Sequence, residues 1–363
     1  MSSYERRRRA GRRRHEKRMA KKARGRSVGK TIALIIGILL ILTLCVGTAY
    51  VATKWSKVQT EKISAKDLSI NREVKHEKGY LNVALFGLDS RDADLGVGNR
   101  SDTIIVASLN KETGEIRLVS VYRDTLLELG DGSYNKCNAA YSFGDAEAAT
   151  AMVNRNLDLD VKKYVACTWK ALIDAVDAVG GLEINVAEDE LSELNFHMKD
   201  TSQHTGVKAK PVKKAGLQVL NGIQATTYAR IRKTDGGDFK RTERQREVLT
   251  KLFEKLRDCK PSQLNKIVDL VFPQVKTNFK LREVLSYTTK ISHYAVSETM
   301  GFPVAVSGAN FEGIGSCVMA DNFASDVLTV HQFLFGQDTE YTPSEKVNSI
   351  GANIAAYKNS GSL

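Results

Sequence analysis

Residues 31–52 form an unbroken apolar run, TIALIIGILLILTLCVGTAYVA, that contains no charged residue. A helix needs roughly 20 mostly apolar residues to cross the hydrocarbon core of a bilayer. A buried helix of a globular protein normally keeps a polar face, which this run lacks. We therefore predict a transmembrane helix over residues 31–52. A cleaved signal peptide is the alternative, because Gly47, Thr48 and Ala49 resemble a cleavage site.

The positive charge of the chain lies before this run. Residues 1–30 contain 14 lysines and arginines and only two acidic residues, whereas basic and acidic residues balance at 40 each over 31–363. Basic residues mark the cytoplasmic side of a membrane helix. We therefore predict a cytoplasmic tail and a single-pass protein of the cell membrane, with everything after Ala52 extracytoplasmic. A nucleic-acid-binding domain carries its basic face on the fold, so nucleic acid is not an expected partner.

The chain after the apolar run reads as three parts. We predict a polar stalk over 53–79, one α/β domain over 80–336 and a peripheral segment over 337–363. Apolar runs at 103–109 and 116–122 flank a connection that contains glycine, which predicts a β-hairpin. We also expect an exposed excursion over 187–218, which is polar, rich in lysine and without a strong pattern.

Four cysteines fall in the predicted extracytoplasmic part, where disulfides persist. They are Cys137, Cys167, Cys259 and Cys317. Four cysteines allow three pairings, and the sequence does not choose among them. Separate buried thiols are the alternative.

Charged residues collect at the ends of the predicted strands. Asp89 follows the first strand, Arg100 and Asp102 directly precede the second, and Arg123 follows the third. In a hairpin, the start of one strand and the end of its partner lie at the same edge. We therefore expect Arg100, Asp102 and Arg123 to be neighbours at a site.

A second concentration of charge lies in residues 228–245, YARIRKTDGGDFKRTERQ. Arg230 and Arg232 are two residues apart, so they point to one side of an extended segment. The spacing i, i+3, i+7 places three further polar residues on one face of the following helix. These are Asp238, Arg241 and Gln245.

Two carboxylates with several arginines fit a polyphosphate that is bridged by a metal ion. The guanidinium group matches phosphate oxygens, and Mg²⁺ takes one or two carboxylates together with substrate phosphates. Surface salt bridges are the alternative for either cluster alone. The sequence contains no GxSxG, HExxH or P-loop motif, so it gives no support to those chemistries.

Seven segments between about residues 78 and 258 form a familiar set of motifs: LNVALFGLDSR, RSDTIIVASLN, SVYRDT, NKCNAAYSFG, VDAVGGLEINV, LNGIQATTYARIR and GGDFKRTERQ. Through these motifs the chain resembles the LytR-CpsA-Psr family, the cell-wall ligases of Gram-positive bacteria. It implies an α/β fold with a central mixed, largely antiparallel sheet flanked by helices on both sides. It also implies an apolar channel for a polyprenyl chain between the sheet and the helices.

The resemblance further implies a phosphotransferase that moves a glycopolymer from a polyprenyl-pyrophosphate carrier to peptidoglycan through a phosphodiester. Alternatives that stay open are a polyprenyl-pyrophosphate phosphatase and a non-catalytic receptor or regulator that binds lipid-linked sugars. By motif, the resemblance implies that Asp89 and Asp102 hold Mg²⁺ or Mn²⁺. The pyrophosphate is expected to be bound by Arg100, Arg123, Arg230, Arg232, Arg241 and Gln245. The residues expected to act in catalysis are Arg100, Arg123, Asp238 and Arg241.

Overall fold

The computed structural model describes residues 50–90 and 95–360. The predicted cytoplasmic tail and nearly all of the predicted membrane helix lie outside these residues. Within the described residues, no helix is both long and apolar enough to cross a membrane. The chain divides into two compact units, Met1–Ser56 and Lys57–Leu363. All of the strands and helices that build the site belong to the second unit.

A mixed seven-stranded sheet lies at the centre of the second unit, within the described part of the chain. The strands in chain order are β1 Gln59–Thr60, β2 Tyr80–Leu88, β3 Ser101–Asn110, β4 Glu115–Val121, β5 Leu126–Gly130, β6 Ser133–Lys136, β7 Lys163–Thr168, β8 Leu182–Val186, β9 Gly216–Leu220, β10 Val275–Thr277, β11 Ala295–Phe302, β12 Val306–Phe311 and β13 Gly315–Ala320. The central sheet has the order β1-β10-β7-β2-β3-β4-β11, and β5-β6, β8-β9 and β12-β13 form separate two-stranded sheets.

The pairing within the central sheet is evenly mixed. Three neighbouring pairs are antiparallel, β10-β7, β2-β3 and β3-β4. The other three are parallel, β1-β10, β2-β7 and β4-β11. The expected mixed sheet is confirmed, but the expectation that antiparallel pairing dominates is wrong. The parallel pairs arise because long connections return the chain to the sheet in the same direction.

Helices cover both faces of the sheet, as expected. In chain order they are α1 Ala139–Leu157, α2 Trp169–Ala178, α3 Glu188–Thr205, α4 Gly222–Tyr228, α5 Gly237–Arg257, α6 Pro261–Val271, α7 Leu281–Thr288, α8 Phe323–Phe335 and α9 Glu345–Ser360. Side chains of α1, α8 and α9 pack with one sheet face in a first core. A second core is formed by α2 to α6 with the small β8-β9 sheet.

Alternate residues of the central strands serve different faces of the sheet. On β2, Ala84, Phe86 and Leu88 are fully buried in the first core, while Leu85 lines a cavity on the side of α3 and α5. Ile105 of β3 lines the same cavity. One face of the sheet is therefore closed by packing, and the other leaves space for a ligand.

The predicted hairpin over residues 103–109 and 116–122 is confirmed as β3 and β4. Asn110 closes the turn by accepting hydrogen bonds through its side chain from the backbone N–H groups of Glu112 and Thr113. Gly114 follows at φ +80°, where a Cβ would lie 2.3 Å from the carbonyl oxygen of His293. Glycine is therefore required at this position.

The two segments that flank the predicted domain both join its core. Residues 53–79 are expected to form a stalk, but Leu68 is buried and its carbonyl accepts a hydrogen bond from Asn154. Helix α9 lies in the segment expected to be peripheral, yet its Ile350 and Ile354 are buried in the first core. Both segments are mostly polar in sequence. Their buried apolar residues are widely spaced along the chain, so the hydropathy pattern does not predict this packing.

The region expected to be an exposed excursion contains α3, an 18-residue helix. The residues of α3 that are buried are Glu190, Leu194, Met198 and Thr201. Their spacing of three or four residues marks one narrow buried face. Only two of the four are apolar, so the hydropathy pattern does not reveal the buried face of this helix.

Candidate active site

The site lies at the edge of the central sheet where β2 and β4 end and β3 begins. A β-bulge interrupts the β2-β3 pairing there, since Gly87 pairs with Thr103 whereas Leu88 pairs with Ser101. Asp102 is the extra residue of the bulge and has no partner on β2. Bulges re-aim side chains and are common beside active sites, and this one directs Asp102 into the cavity.

Asp102 contacts two of the predicted arginines. Its Oδ1 accepts a hydrogen bond of 2.7 Å from Nη1 of Arg123, and its Oδ2 lies 3.7 Å from Nη2 of Arg232. Burial alone lowers the pKa of Arg123, but the nearby carboxylates of Asp102, Asp124 and Asp238 raise it overall. Residues from β3, the turn after β4 and the loop before α5 therefore meet at one point.

Asp238 is the second carboxylate that gathers arginines. It stands in the first turn of α5, which begins at Gly237. Gly236 and Gly237 have φ of +85° and +52°. Its Oδ2 accepts a hydrogen bond of 3.0 Å from Arg241. Its Oδ1 lies 3.9 Å from Nε of Arg123 and 3.9 Å from Nε of Arg232. Asp102 and Asp238 thus hold the guanidinium groups together despite their mutual repulsion.

Arg241 is the most deeply buried cation of the site, with its side chain 2% exposed. Burial lowers its pKa to about 10; Asp238 opposes this shift, while the charges of Arg123 and Arg232 add to it. Its Nε has no hydrogen-bond acceptor among the described residues. Buried polar atoms are rarely left unpaired. The unpaired Nε is therefore a donor that a bound anion would satisfy.

Gln245 lies one helical turn after Arg241 and lines the same cavity. Its Oε1 is buried and finds no donor within the described part of the chain. Oε1 of Gln245 is therefore a neutral acceptor close to the unpaired donor Nε of Arg241. A polar ligand could bind to both atoms.

Arg230 is held in a fixed position by α3 and the start of α2. Its guanidinium group lies 3.4 Å from the ring centroid of Trp169. Nη1 donates to Oγ1 of Thr201 at 2.6 Å, and Nη2 donates to Oδ2 of Asp200 at 2.9 Å. Burial lowers the pKa of Arg230, against the opposing effect of the Asp200 carboxylate. Sequence reasoning identified Arg230 but none of its three partners.

A buried ion pair fixes the loop that carries Arg230 and Arg232. Arg244 is 2% exposed and donates to Glu190 of α3 at 2.7 Å. It also donates to the carbonyl of Ile231 at 3.1 Å and to Oγ1 of Thr234 at 2.6 Å. Removing one partner of a buried ion pair leaves an uncompensated charge. The pair therefore anchors the loop, and it too was missed from sequence.

Asp89 and Arg100 lie at the same edge but differ from the rest of the predicted set. The N–H of Asp89 donates to the carbonyl of Arg100 at 3.1 Å. Both side chains are exposed, and neither lines the cavity. The carboxylate of Asp89 acts on Arg230, whose pKa it raises in opposition to burial. The expected contact of Arg100 with the cluster is not present among the described residues.

Asp124 is a further carboxylate beside Arg123, and Asp238 is among the residues expected to act in catalysis. Asp124 lies 3.4 Å from Nε of Arg123 and 3.4 Å from Nζ of Lys136. Asp238 contacts three arginines. Both therefore already have cationic partners, and their geometry fits the positioning of arginines.

A cavity of about 610 Å³ extends from this charged cluster between the sheet and the helices. Arg230, Arg232, Arg241 and Gln245 line its polar end. The remaining wall is largely apolar and includes Leu85, Ile105, Val165, Leu172, Val248 and Leu249. This volume is within the usual range for ligand sites. The shape combines an anion site with a continuous apolar compartment.

The cysteines of the described residues take no part in a disulfide. All four cysteines of the described residues are unpaired, which agrees with the alternative of separate thiols. Cys167 lines the cavity, and burial raises its pKa to about 11. Its thiol therefore behaves as a small apolar group at neutral pH.

The donor set suits a metal only together with a ligand. Within the described residues, no group of three or more His, Cys, Asp or Glu residues is placed to hold a metal ion. Asp89 and Asp102 are brought to one edge on adjacent strands. Two carboxylates match the hard oxygen ligands of Mg²⁺ when substrate phosphates supply others.

Comparisons with known proteins show the relatives of this chain. The model of the LytR_cpsA_psr family matches residues 46–327. Polyisoprenyl-teichoic acid–peptidoglycan teichoic acid transferase TagU of Enterococcus faecalis (strain ATCC 700802 / V583) is 30% identical over 299 residues, 79% of this chain and 93% of TagU. The correspondingly named TagV of Bacillus subtilis (strain 168) is 30% identical over 273 residues, 72% of this chain and 66% of TagV. The crystal structure of B. subtilis TagV matches with a TM-score of 0.56 at 26% identity, covering 74% of this chain and 100% of that one. The resemblance inferred from the motifs is confirmed, and the chain belongs to the LytR-CpsA-Psr family.

Proposed function

We propose that this protein is a phosphotransferase that moves a glycopolymer from a polyprenyl-pyrophosphate carrier to peptidoglycan. The observation that carries the proposal is the unpaired Nε of buried Arg241 at the polar end of an apolar cavity. A pyrophosphate joined to a long hydrocarbon chain matches both parts of this site. The names of the relatives in Enterococcus and Bacillus support the same donor and acceptor, and they favour a teichoic acid as the polymer.

In the proposed reaction, the 6-hydroxyl oxygen of N-acetylmuramic acid bonds to the phosphorus nearer the sugar. The bond from that phosphorus to the bridging oxygen breaks, and polyprenyl monophosphate leaves with the bridging oxygen. The hydroxyl proton passes to the leaving phosphate or to solvent. The product is a phosphodiester between polymer and peptidoglycan.

The arginines would perform most of this chemistry by position and charge. Arg230 is held by its stacking and hydrogen bonds, so it would bind the pyrophosphate without further ordering. Arg123 and Arg232 lie between Asp102 and Asp238, where they would face the phosphate oxygens. Arg241 would stabilise negative charge on the leaving phosphate. Asp238 would keep these groups close before the donor arrives.

We also propose that Asp89 and Asp102 hold Mg²⁺ or Mn²⁺ with the pyrophosphate. The ion would neutralise phosphate charge when bound. Asp102 lies in the cavity wall at the bulge, and its two oxygens retain further acceptor capacity beside the arginines. Asp89 is exposed at the adjacent strand end, where it would approach the ion from solvent.

The proposed setting is the cell membrane, with residues 31–52 as a single span and the catalytic domain outside. The apolar run and the basic tail before it support this topology. The lipid carrier and the peptidoglycan acceptor are then both within reach of the domain.

Two other functions use the same site. A phosphatase would direct water to the phosphorus, and a receptor or regulator would bind the lipid-linked sugar without turnover. The relatives that are named as transferases favour transfer to peptidoglycan over both. The products separate the three functions, because only the transferase makes a new phosphodiester.

The site is tested by alanine variants of the full chain at Arg123, Arg230 and Arg232. Each should lower turnover of lipid-linked donor by about 10²–10³, as the loss of one donor to a developing negative charge does. Arg257→Ala in the last turn of α5 is the matched control and should retain activity, since among the described residues Arg257 forms an ion pair with Asp258 alone. Circular dichroism checks the fold of each variant. Full activity in all three folded variants would refute the site.

A further inference from the structure

Residues 207–219 form a basic and apolar surface on the outer side of the helices that wall the cavity. In its first part, Val207, Ala209 and Val212 turn inward onto the second core. The lysines between and after them are exposed, and they are Lys208, Lys210, Lys213 and Lys214. This alternation indicates an extended segment with one packed side and one lysine side.

The segment is attached to α3 and α4 by its backbone. Val212 both donates to and accepts from the side-chain amide of Asn195, at 2.8 and 2.9 Å. Ser202 donates to the carbonyl of Val207 at 2.7 Å, and Gln224 donates to the carbonyl of Lys210 at 2.9 Å. The lysines are therefore displayed from a fixed backbone.

The charge on this surface is not neutralised locally. Residues 206–220 contain four lysines and no acidic residue. Within the described part of the chain, no carboxylate oxygen lies within 4.0 Å of the Nζ atom of any of these lysines, which is the limit for an ion pair. Elsewhere on the domain, exposed lysines such as Lys57 and Lys358 do pair with carboxylates.

Two exposed apolar side chains continue the surface along β9. Leu217 is 65% exposed and Val219 is 62% exposed. They alternate with Gln218 and therefore share one face of the strand. Their cross-strand partners on β8 are Glu183 and Asn185, which are also exposed. Glu183 therefore places one negative charge on this face. Paired apolar side chains beside a cluster of cations mark a surface that meets another phase or molecule.

We propose that residues 207–219 dock on the surface of an anionic lipid bilayer. Lysines near such a surface are attracted to its headgroups, and apolar side chains insert into the boundary between headgroups and acyl chains. An anionic polymer would satisfy the lysines but would leave Leu217 and Val219 in water. The proposal extends the membrane setting of the proposed function. It brings α3 and α4, and the cavity behind them, next to the leaflet that holds a lipid substrate.

Hydrogen exchange of the full chain, read by mass spectrometry, tests the proposal. The chain is incubated with vesicles of phosphatidylcholine alone or with an equal share of phosphatidylglycerol. We expect slower exchange over 206–220 with the anionic vesicles only. Each lysine should contribute about fivefold to surface affinity at low salt. The protection should weaken as NaCl is raised from about 0.05 M to about 0.5 M.

Variants separate the charge from the apolar contribution. The quadruple change of Lys208, Lys210, Lys213 and Lys214 to Ser should abolish the protection, and Leu217→Ser with Val219→Ser should reduce it. Leu270→Ser with Leu285→Ser removes two other exposed apolar side chains and should leave it intact. None of the changed positions lines the cavity, so turnover of detergent-solubilised donor should be unchanged.

The readout is independent of the membrane span. Protection over 31–52 reports the span separately, so failure of the anchor and failure of the docking surface are distinguishable. Equal exchange over 206–220 with both kinds of vesicle would overturn the proposal. Protection by soluble teichoic acid, but not by anionic vesicles, would overturn it in favour of an anionic polymer.

Discussion

Trp169 should control substrate binding through Arg230. Replacing Trp169 with Leu removes the ring that lies 3.4 Å from the Arg230 guanidinium but keeps an apolar side chain in the cavity wall. The hydrogen bonds that Arg230 donates to Thr201 and Asp200 remain. These hydrogen bonds restrain Nη1 and Nη2 of the Arg230 guanidinium, but they do not replace the ring that packs on its face.

The stacking energy sets the size of the effect. A cation over a tryptophan face contributes about 0.5–1 kcal/mol when exposed and about 2 kcal/mol when desolvated. The Arg230 side chain is 22% exposed, so a value of about 1–2 kcal/mol is appropriate. This corresponds to a KM for the lipid-linked donor that is roughly five- to thirtyfold higher. Trp169→Phe keeps an aromatic face and should lose less than Trp169→Leu.

Steady-state turnover of Trp169→Leu, Arg230→Ala and the double variant measures the coupling. If Trp169 acts through Arg230, the double variant should be no worse than Arg230→Ala alone. Circular dichroism excludes a general loss of structure. Effects that simply add, or a Phe variant no better than the Leu variant, would show that Trp169 serves only the packing of the cavity wall.

Three further results are expected. A reporter fused after Leu363 should be active only outside the membrane, and activity in the cytoplasm would overturn the topology. Wild-type turnover should stop in a chelator and return with Mg²⁺, and undiminished turnover in chelator would refute the role of the metal. Asp102→Asn should lose turnover but should largely keep the binding of metal-free lipid pyrophosphate. Burial lowers the pKa of His331 to about 4, so its contribution to stability is present above its unfolded pKa and is lost as pH falls. The unfolding free energy should therefore fall by about 2 kcal/mol between about pH 7 and about pH 5 from this group. Denaturant titrations should show a flatter pH dependence for His331→Phe, and an unchanged slope would contradict the assignment.

The parts of the site that could be predicted from sequence are those fixed by local geometry. Hairpin pairing brings Asp102 to Arg123 because strand register is a short-range property, and the structure places them 2.7 Å apart. Helical spacing likewise puts Arg241 and Gln245 on one cavity wall. The bulge at Asp102 could not be predicted, since it depends on how two strands pair rather than on either strand alone.

The parts that could not be predicted depend on contacts between distant segments. Trp169 and Asp200 meet Arg230 from separate helices, and no local pattern joins these positions. Arg244 follows Arg241 by three residues, yet Arg241 lines the cavity whereas Arg244 pairs with Glu190. A run of charged residues does not show which face of its helix is buried. Helix α3 was missed for a related reason, because its buried face is partly polar.

The source of the oxygen that bonds to the phosphorus, an acceptor hydroxyl or water, distinguishes transfer from hydrolysis most directly. The full-length protein is given polyprenyl-pyrophosphate-linked polymer and peptidoglycan in water enriched in ¹⁸O, and the products are analysed by mass spectrometry. We expect polyprenyl monophosphate without ¹⁸O, together with a muramic acid 6-phosphodiester that carries the polymer. Phosphate products that contain ¹⁸O, with no phosphodiester formed, would show that water is the acceptor and that the protein is not a transferase.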